Sequence, residues 1–193
     1  MVWNRVHIER RRPWVKSESV VLIGPGGVGK SSLGRALGPM LGWPVVDLDA
    51  VYCEEIGTIG PFIGRYGYER YRAENLKLAE RLFVQTPTPM VFVASSGFLA
   101  GTPGSSDNIR ARQVLARGFA ISILPMLNVD AATNLVVARQ LERGFGLERD
   151  SEERKFRERF PIYREAGDML VVSTESPSLV AGAVAQSMKG FLD

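Results

Sequence analysis

Short apolar runs recur along the chain and alternate with longer amphipathic stretches. Five of these runs, at residues 20–23, 43–49, 89–95, 119–126 and 168–174, are predicted to be strands. Most are apolar at nearly every position, which is typical of parallel strands that are buried on both faces. The pattern therefore predicts a parallel sheet with helices packed on each side.

The stretches between these runs space their apolar residues as helices do. Gly118 ends one of them, and glycine favours the C-terminal end of a helix. Strands that alternate with helices predict a three-layer α/β/α domain with a five-stranded parallel sheet. The predicted helices lie at about residues 30–41, 69–85, 106–117, 130–144 and 177–192.

The length and composition fit one domain with polar attachments. The chain has 193 residues, of which 45% are hydrophobic, and this is ample for a single core. We assign residues 19–193 to the domain and residues 1–18 to a basic N-terminal arm with two tryptophans. A solvated arm, or an added strand that packs its tryptophans on the domain, is favoured over an arm that binds nucleic acid. Residues 142–160 are highly charged and are predicted to form a mobile lid.

Charge and cysteine content narrow the functional class. The net charge of +3 suits anionic small substrates as well as it suits nucleic acid. The single cysteine, Cys53, excludes an internal disulfide and a cysteine-rich metal site. Neither a signal peptide nor an apolar run long enough for a bilayer is apparent, so a cytoplasmic protein without a membrane partner is expected. The oligomeric state is left open.

A glycine-rich loop follows the first predicted strand and leads into a helix. Residues 24–31 match G-x-x-x-x-G-K-[ST] without a mismatch. In this context the backbone N–H groups surround phosphates, the lysine reaches the β- and γ-phosphates, and the serine hydroxyl joins Mg²⁺. We therefore predict an ATP and Mg²⁺ site formed by Gly24, Gly26, Gly27, Val28, Gly29, Lys30, Ser31 and Ser32.

Two aspartates end the second predicted strand. Ligands gather at this edge of an α/β sheet. If Asp47 and Asp49 both belong to the strand, alternation puts them on the same face, about 7 Å apart. One could hold the water shell of the metal, while the other orients or deprotonates an attacking hydroxyl.

Three segments together resemble shikimate kinases, which are small P-loop kinases of the nucleoside-monophosphate-kinase-like fold. GPGGVGKSSLGRALGPMLGWPVVDLDAVY resembles the opening of that family, with its phosphate loop and its strand ending in D-x-D. GTIGPFIGRYGYERYRAEN and RFPIYREAGDMLV are similar to a central and a closing segment of the family. The resemblance spans about residues 20–190, and it implies an acceptor-binding segment at residues 49–82 and the lid at residues 142–160.

The resemblance also implies roles for the residues around the phosphate loop. Asp49 would position the acceptor hydroxyl and act as its base, with Lys30 as the second catalytic residue. Asp47 would hold Mg²⁺ through water, together with Ser31. These roles make the chain an ATP-dependent small-molecule kinase.

Arginines complete the implied site. Arg72 and Arg159 would bind a substrate carboxylate, because each guanidinium can donate two parallel hydrogen bonds. Arg139 falls where the family places an arginine that stacks on adenine. Arg143 or Arg149 would reach over the phosphates from the lid.

The chain departs from the family pattern mainly on the acceptor side. The triple glycine of the family is Ser-Ser-Gly at residues 95–97, which leaves Gly97 to line the substrate. Two acidic positions of the family are occupied by Tyr68 and Asn75. These departures bear on the prediction of a carboxylated acceptor, for which shikimate is the first candidate. They do not bear on the prediction of phosphoryl transfer. A kinase for gluconate or a nucleotide, or a non-catalytic nucleotide-binding regulator, are the alternatives.

Overall fold

The computed structural model of the protein describes residues 5–142 and 147–189. Strands and helices alternate through both ranges. The strands are β1 (His7–Arg10), β2 (Val20–Ile23), β3 (Val45–Asp47), β4 (Val91–Val93), β5 (Phe119–Leu124) and β6 (Met169–Val172). The helices are α1 (Lys30–Leu41), α2 (Leu48–Glu55), α3 (Ile59–Tyr66), α4 (Tyr68–Gln85), α5 (Ser106–Leu115), α6 (Val129–Leu141), α7 (Arg149–Glu165) and α8 (Pro177–Lys189). Of these helices, none is long and apolar enough to cross a membrane.

The strands form one sheet in the order β1-β6-β5-β2-β4-β3. Strands β6, β5, β2, β4 and β3 are parallel to one another, which confirms the predicted parallel core. The predicted number of five strands is wrong, because β1 adds a sixth strand antiparallel to β6. Strand β1 is mostly exposed, and backbone pairing holds it at the sheet edge. Its sequence therefore lacks the apolar run that marks the other strands.

Side chains of the central strands show that helices cover both faces of the sheet. Leu22 of β2 faces α1, since a Cβ atom on Gly34 of that helix would lie 3.5 Å from its Cδ1 atom. Ser122 of β5 faces α7 and donates a hydrogen bond to the carbonyl oxygen of Tyr163. Ser122 pairs with Ile23, the neighbour of Leu22, and neighbouring strand residues point to opposite faces. Helices α1 and α7 therefore lie on opposite sides, as a three-layer fold requires.

The basic arm is docked on the domain over its described part. Arg12 donates to Glu18 (2.9 Å) and forms an ion pair with Asp168 (2.7 Å), just before β6. Trp14 is 7% exposed and lies 6.0 Å from the ring of Trp43. The arm is thus the added strand that packs a tryptophan on the domain, one of the two arrangements that the sequence favours.

The end of β3 differs from the prediction in a way that matters for the site. The strand stops at Asp47, and Asp49 lies in the first turn of α2. The expected alternation of both acids along one strand is therefore wrong. Asp47 is the N-cap of the helix, and its Oδ1 atom accepts from the backbone N–H groups of Asp49 (3.2 Å) and Ala50 (3.4 Å). Aspartate is among the best residues for this cap, so local capping prevails over continuation of the strand.

Candidate active site

The phosphate loop lies between β2 and α1. Residues 24–29 form the loop, and Lys30, Ser31 and Ser32 open the helix. The backbone of Gly27 has φ +78°, and a Cβ atom there would lie 2.8 Å from Val136 of α6. No side chain caps the N-terminus of α1. Its first N–H groups are therefore available to an anion, as a phosphate site requires.

The side chain of Lys30 folds back over the loop. Its Nζ atom donates to the carbonyl oxygens of Gly24 (2.8 Å) and Pro25 (2.9 Å), and the residue is 8% exposed. The charge of Lys30 also acts on Asp49, where it favours the ionised carboxylate. The loop and Asp49, in the first turn of α2, therefore lie close to each other.

Asp49 lies in a desolvated position at the centre of this site. Burial raises the pKa of its carboxyl group, and the nearby charge of Asp47 adds to the rise. The charge of Lys30 and a hydrogen bond from the hydroxyl group of Tyr71 (3.4 Å) act in the opposite direction. The net pKa is raised, so the carboxylate is a stronger proton acceptor than an exposed aspartate.

Helix α4 and the loop after β4 form the acceptor side. Tyr71, Arg72 and Asn75 of α4 line a narrow cleft together with Ser95 and Gly97. The guanidinium of Arg72 lies over Gly101, where an added Cβ atom would be 2.1 Å from Nη2. Tyr71 links this cleft to Asp49 through its hydroxyl group.

Arg159 reaches the same loop from α7. It donates to the hydroxyl groups of Ser96 (3.3 Å) and Tyr68 (3.0 Å). A Cβ atom on Gly97 would lie 3.5 Å from its Nη2 atom. Arg72 thus approaches the segment after β4 at Gly101, and Arg159 approaches it from a different helix at residues 96 and 97.

Tyr163 contacts the loop after β4, and no role for it was predicted from the sequence. Its hydroxyl group donates to the carbonyl oxygen of Ser96 (3.0 Å) and accepts from the backbone N–H group of Leu99 (3.3 Å). Burial raises its pKa to about 12, and the charge of Asp49 contributes to that rise. Tyr163 therefore holds the loop of residues 95–97 in shape. The tyrosine of the segment RFPIYREAGDMLV, which is similar to the closing segment of the family, was the feature that could have indicated this role.

The remaining predicted residues lie on α6 and at the start of α7. Arg139 is half-buried in the last turn of α6, and its neighbour Gln140 packs on the phosphate loop, with Nε2 2.7 Å from a Cβ atom on Gly26. Arg149 is the first residue of α7 and pairs with Glu153 (3.5 Å). Arg143 lies outside the described residues.

The residues of the loop fit ATP and Mg²⁺. The uncapped helix N-terminus and the lysine supply donors for phosphate, and Ser31 and Asp47 are oxygen ligands of the kind that Mg²⁺ prefers. The helix cap uses only the Oδ1 atom of Asp47. In residues 5–142 and 147–189 no cluster of three or more potential metal ligands is found. This is compatible with Mg²⁺, which usually binds one or two protein groups, substrate phosphates and water.

A phosphate loop beside a half-buried acid at the carboxyl edge of a parallel sheet is typical of P-loop kinases. Comparisons with known proteins identify the family. The family model described as "Shikimate kinase" matches residues 26–189. The chain therefore belongs to the shikimate kinase family, and the predicted enzyme class and fold class are confirmed.

Individual relatives agree with this assignment. The chain is 29% identical to a shikimate kinase of Halorhodospira halophila over 183 residues, which cover 92% of this chain and 97% of the relative. The structure of a shikimate kinase from Acinetobacter baumannii in complex with shikimate matches with a TM-score of 0.72 at 21% identity, covering 90% of this chain and 93% of that one. A shikimate kinase from Aquifex aeolicus matches with a TM-score of 0.68 at 19% identity, covering 89% and 96%.

Proposed function

We propose that the chain transfers the γ-phosphoryl group of ATP to a hydroxyl group of a small carboxylated acceptor, and that shikimate is this acceptor. The observation that carries the proposal is the position of Asp49. The half-buried carboxyl group of Asp49 accepts a hydrogen bond from Tyr71 on the acceptor side, and the charge of Lys30 on the donor side acts to lower its pKa. Membership of the shikimate kinase family supports the same reaction.

The donor half of the site is the phosphate loop. The N–H groups at the start of α1 bind the phosphates, and Lys30 exchanges its two carbonyl partners for the β- and γ-phosphate oxygens. Ser31 and Asp47 would hold Mg²⁺, which would supply positive charge to neutralise the transferred group. Arg139 packs against the adenine from α6.

The acceptor half positions a carboxylate and a hydroxyl group. Arg72 and Arg159 bind the carboxylate of the acceptor from two sides, and Gly97 lets the acceptor approach the backbone between them. For this, Arg159 gives up its hydrogen bond to the hydroxyl group of Tyr68. The two arginines thereby orient the acceptor so that its hydroxyl group faces Asp49.

Asp49 prepares the acceptor hydroxyl for attack. Its carboxylate accepts a hydrogen bond from the hydroxyl group and then its proton as the oxygen attacks the γ-phosphorus in line. The bond between the γ-phosphorus and the β–γ bridging oxygen breaks, and ADP leaves. A carboxylate with a raised pKa is better suited to accept this proton than an exposed one. An arginine of the lid, Arg143 or Arg149, adds positive charge over the phosphates, and closure of the lid excludes water that would compete with the acceptor.

A panel of acceptors tests the proposal. ADP release is measured in a coupled assay with shikimate, gluconate and nucleoside monophosphates, each against a blank without acceptor. Saturable ADP release that depends on shikimate is expected. Release that depends only on another acceptor would refute the choice of shikimate. Tight ATP binding without release for any acceptor would refute the assignment as a kinase.

A further inference from the structure

The hydroxyl group of Tyr68 occupies the space beside Gly97, where the proposed function places the acceptor. Tyr68 is the first residue of α4, and its exposed fraction is 38%. A Cβ atom on Gly97 would lie 2.2 Å from the hydroxyl oxygen of Tyr68 and 3.5 Å from its ring carbon Cζ. An acceptor that approaches the backbone at Gly97 therefore needs the space that the phenol oxygen holds.

The same oxygen is a partner of Arg159. It accepts a hydrogen bond from the Nη2 atom of Arg159 at 3.0 Å. This direction is fixed, because a guanidinium group can donate hydrogen bonds but cannot accept them. The Nη1 atom donates to the hydroxyl group of Ser96 at 3.3 Å, so both Nη atoms of Arg159 have partners. The phenol oxygen thus holds a donor that the proposed function assigns to the carboxylate of the acceptor.

Further contacts place Tyr68 among the residues that act on the acceptor. Its ring centroid lies 5.9 Å from that of Tyr71, whose hydroxyl group donates to Asp49. The charge of Arg159 lowers the pKa of Tyr163, whereas Tyr68 and Asp49 raise it, so these groups lie near one another. The contact between Tyr68 and Arg159 is therefore part of the acceptor site.

Little holds the side chain of Tyr68 in this position. Among the described residues, the bond from Arg159 is the only hydrogen bond of its hydroxyl group. Exposed side chains change rotamer within nanoseconds. By contrast, Tyr71, three residues later on the same helix, is 7% exposed and packs against the buried ring of Tyr52. Tyr68 can therefore turn toward solvent while Tyr71 stays in place.

We propose that Tyr68 competes with the acceptor for Arg159 and for the space beside Gly97, and that this competition sets the affinity for the acceptor. The inference rests on the proposed function and names a residue that determines how strongly its substrate binds. When the acceptor binds, its carboxylate replaces the phenol oxygen as the partner of Nη2, and the side chain of Tyr68 turns toward solvent. The exchange moves hydrogen bonds only, so it changes acceptor binding and leaves the transfer step unaffected.

The substitution Tyr68→Phe tests the proposal, because it keeps the ring and removes only the competing oxygen. One hydrogen bond of this kind gives roughly a fivefold preference, and a site that is open in a fraction of the molecules binds its ligand more weakly by that fraction. We therefore expect KM for shikimate to fall by roughly two- to fivefold, while kcat and KM for ATP stay the same. Titration calorimetry without ATP should show the same fall in Kd for shikimate.

The methyl ester of shikimate separates competition from a structural effect. The ester lacks the charged carboxylate, so the release of Arg159 helps it less, and its KM should fall less than that of the acid. Asp130→Ala removes an exposed partner of Arg157, which lies two residues before Arg159 on α7, and should leave KM for shikimate unchanged. A methyl group at Gly97 should act in the opposite direction to Tyr68→Phe, because it cannot leave the space of the acceptor.

The possible results distinguish the inference from the proposed function. An unchanged or raised KM for shikimate in Tyr68→Phe would overturn the inference and leave the proposed function intact. An equal fall in KM for shikimate and its ester would also overturn it, since a change in packing affects both alike. No turnover of shikimate by the unsubstituted chain would overturn the proposed function, and the inference with it.

Discussion

Gly97 is the position where one added methyl group should disturb the acceptor site most directly. In Gly97→Ala the new Cβ atom would lie 2.2 Å from the hydroxyl oxygen of Tyr68. An ordinary contact begins at 3.4 Å, so the hydroxyl oxygen must move by about 1.2 Å (3.4 − 2.2). Such a shift breaks its 3.0 Å hydrogen bond with Arg159. The substitution therefore affects the packing of the loop and the setting of a proposed substrate-binding arginine.

The size of the effect follows from these contacts. Loss of one partly exposed hydrogen bond costs about 1 kcal/mol, whereas moving the exposed Tyr68 side chain away from the methyl group adds little. If Gly97 faces the bound acceptor, the methyl group also occupies the space that the acceptor needs. We expect KM for shikimate to rise by roughly five- to a hundredfold, while KM for ATP stays within about twofold.

Steady-state kinetics and thermal unfolding separate the effect on acceptor binding from the effect on loop packing. In Gly97→Ala/Tyr68→Phe the clashing oxygen is absent, and the ring carbon Cζ would lie 3.5 Å from the new Cβ atom, an ordinary contact. Thermal stability should therefore recover only in part in the double variant, because the clash is relieved while the hydrogen bond to Arg159 stays lost. KM for shikimate should remain high. Gly182→Ala, whose Cβ atom would meet nothing within 4 Å in α8, is the matched control. An unchanged KM for shikimate in Gly97→Ala would refute the placement of the acceptor against this glycine.

Four further predictions concern the phosphate loop, the carboxyl group of Asp49 (two of them) and the core. Lys30→Met should abolish ATP binding in a titration, whereas Lys16→Met in the exposed part of the arm should not; equal affinities would contradict the role of the loop. The kcat/KM for shikimate should fall at acid pH with an apparent pKa above the usual aspartate value near 4. Burial raises the pKa of Asp49, and only its ionised form accepts a proton. The same raised pKa means that the folded state binds this proton more tightly than the unfolded state. The free energy of unfolding should therefore fall as pH rises from about 4 through the raised pKa, and Asp49→Asn should remove this contribution; an identical pH dependence of unfolding would argue against it. Gly38→Ala should destabilise the fold by about 1–3 kcal/mol in denaturant titration, because its Cβ atom would lie 2.2 Å from Val45; an unchanged midpoint would contradict the packing of α1 on β3.

Elements marked by a local pattern could be predicted from the sequence. A few residues suffice to predict strands β2 and β5, from their apolar runs, and the glycine loop before Lys30. Buried parallel strands need apolar side chains on both faces, and a phosphate loop needs glycines at set positions. The core of the fold and the donor half of the site were accessible for this reason.

Elements that depend on distant partners, or on competition between two local signals, could not be predicted. Strand β1 forms because its backbone pairs with β6, more than 150 residues away in the sequence. Asp49 joins a helix because the side chain of Asp47 caps it, although the sequence also allows a longer strand. The positions of Tyr68 over Gly97 and of Asn75 beside Ser95 depend on how α4 packs on the loop after β4. The side-chain contacts on the acceptor side therefore could not be predicted from the sequence alone.

Direct observation of phosphoryl transfer tests the role of Asp49 and the function together. The chain and its Asp49→Asn variant are incubated with ATP, Mg²⁺ and shikimate, and the products are followed by ³¹P nuclear magnetic resonance. We expect the unsubstituted chain to form a phosphate monoester of shikimate in step with ADP. The variant should form it about 10²–10⁴-fold more slowly, the usual contribution of a general base, while its affinity for ATP stays within severalfold. Absence of the monoester with the unsubstituted chain, or its formation at an unchanged rate by Asp49→Asn, would contradict the assignment of Asp49 as the base of a shikimate-phosphorylating enzyme.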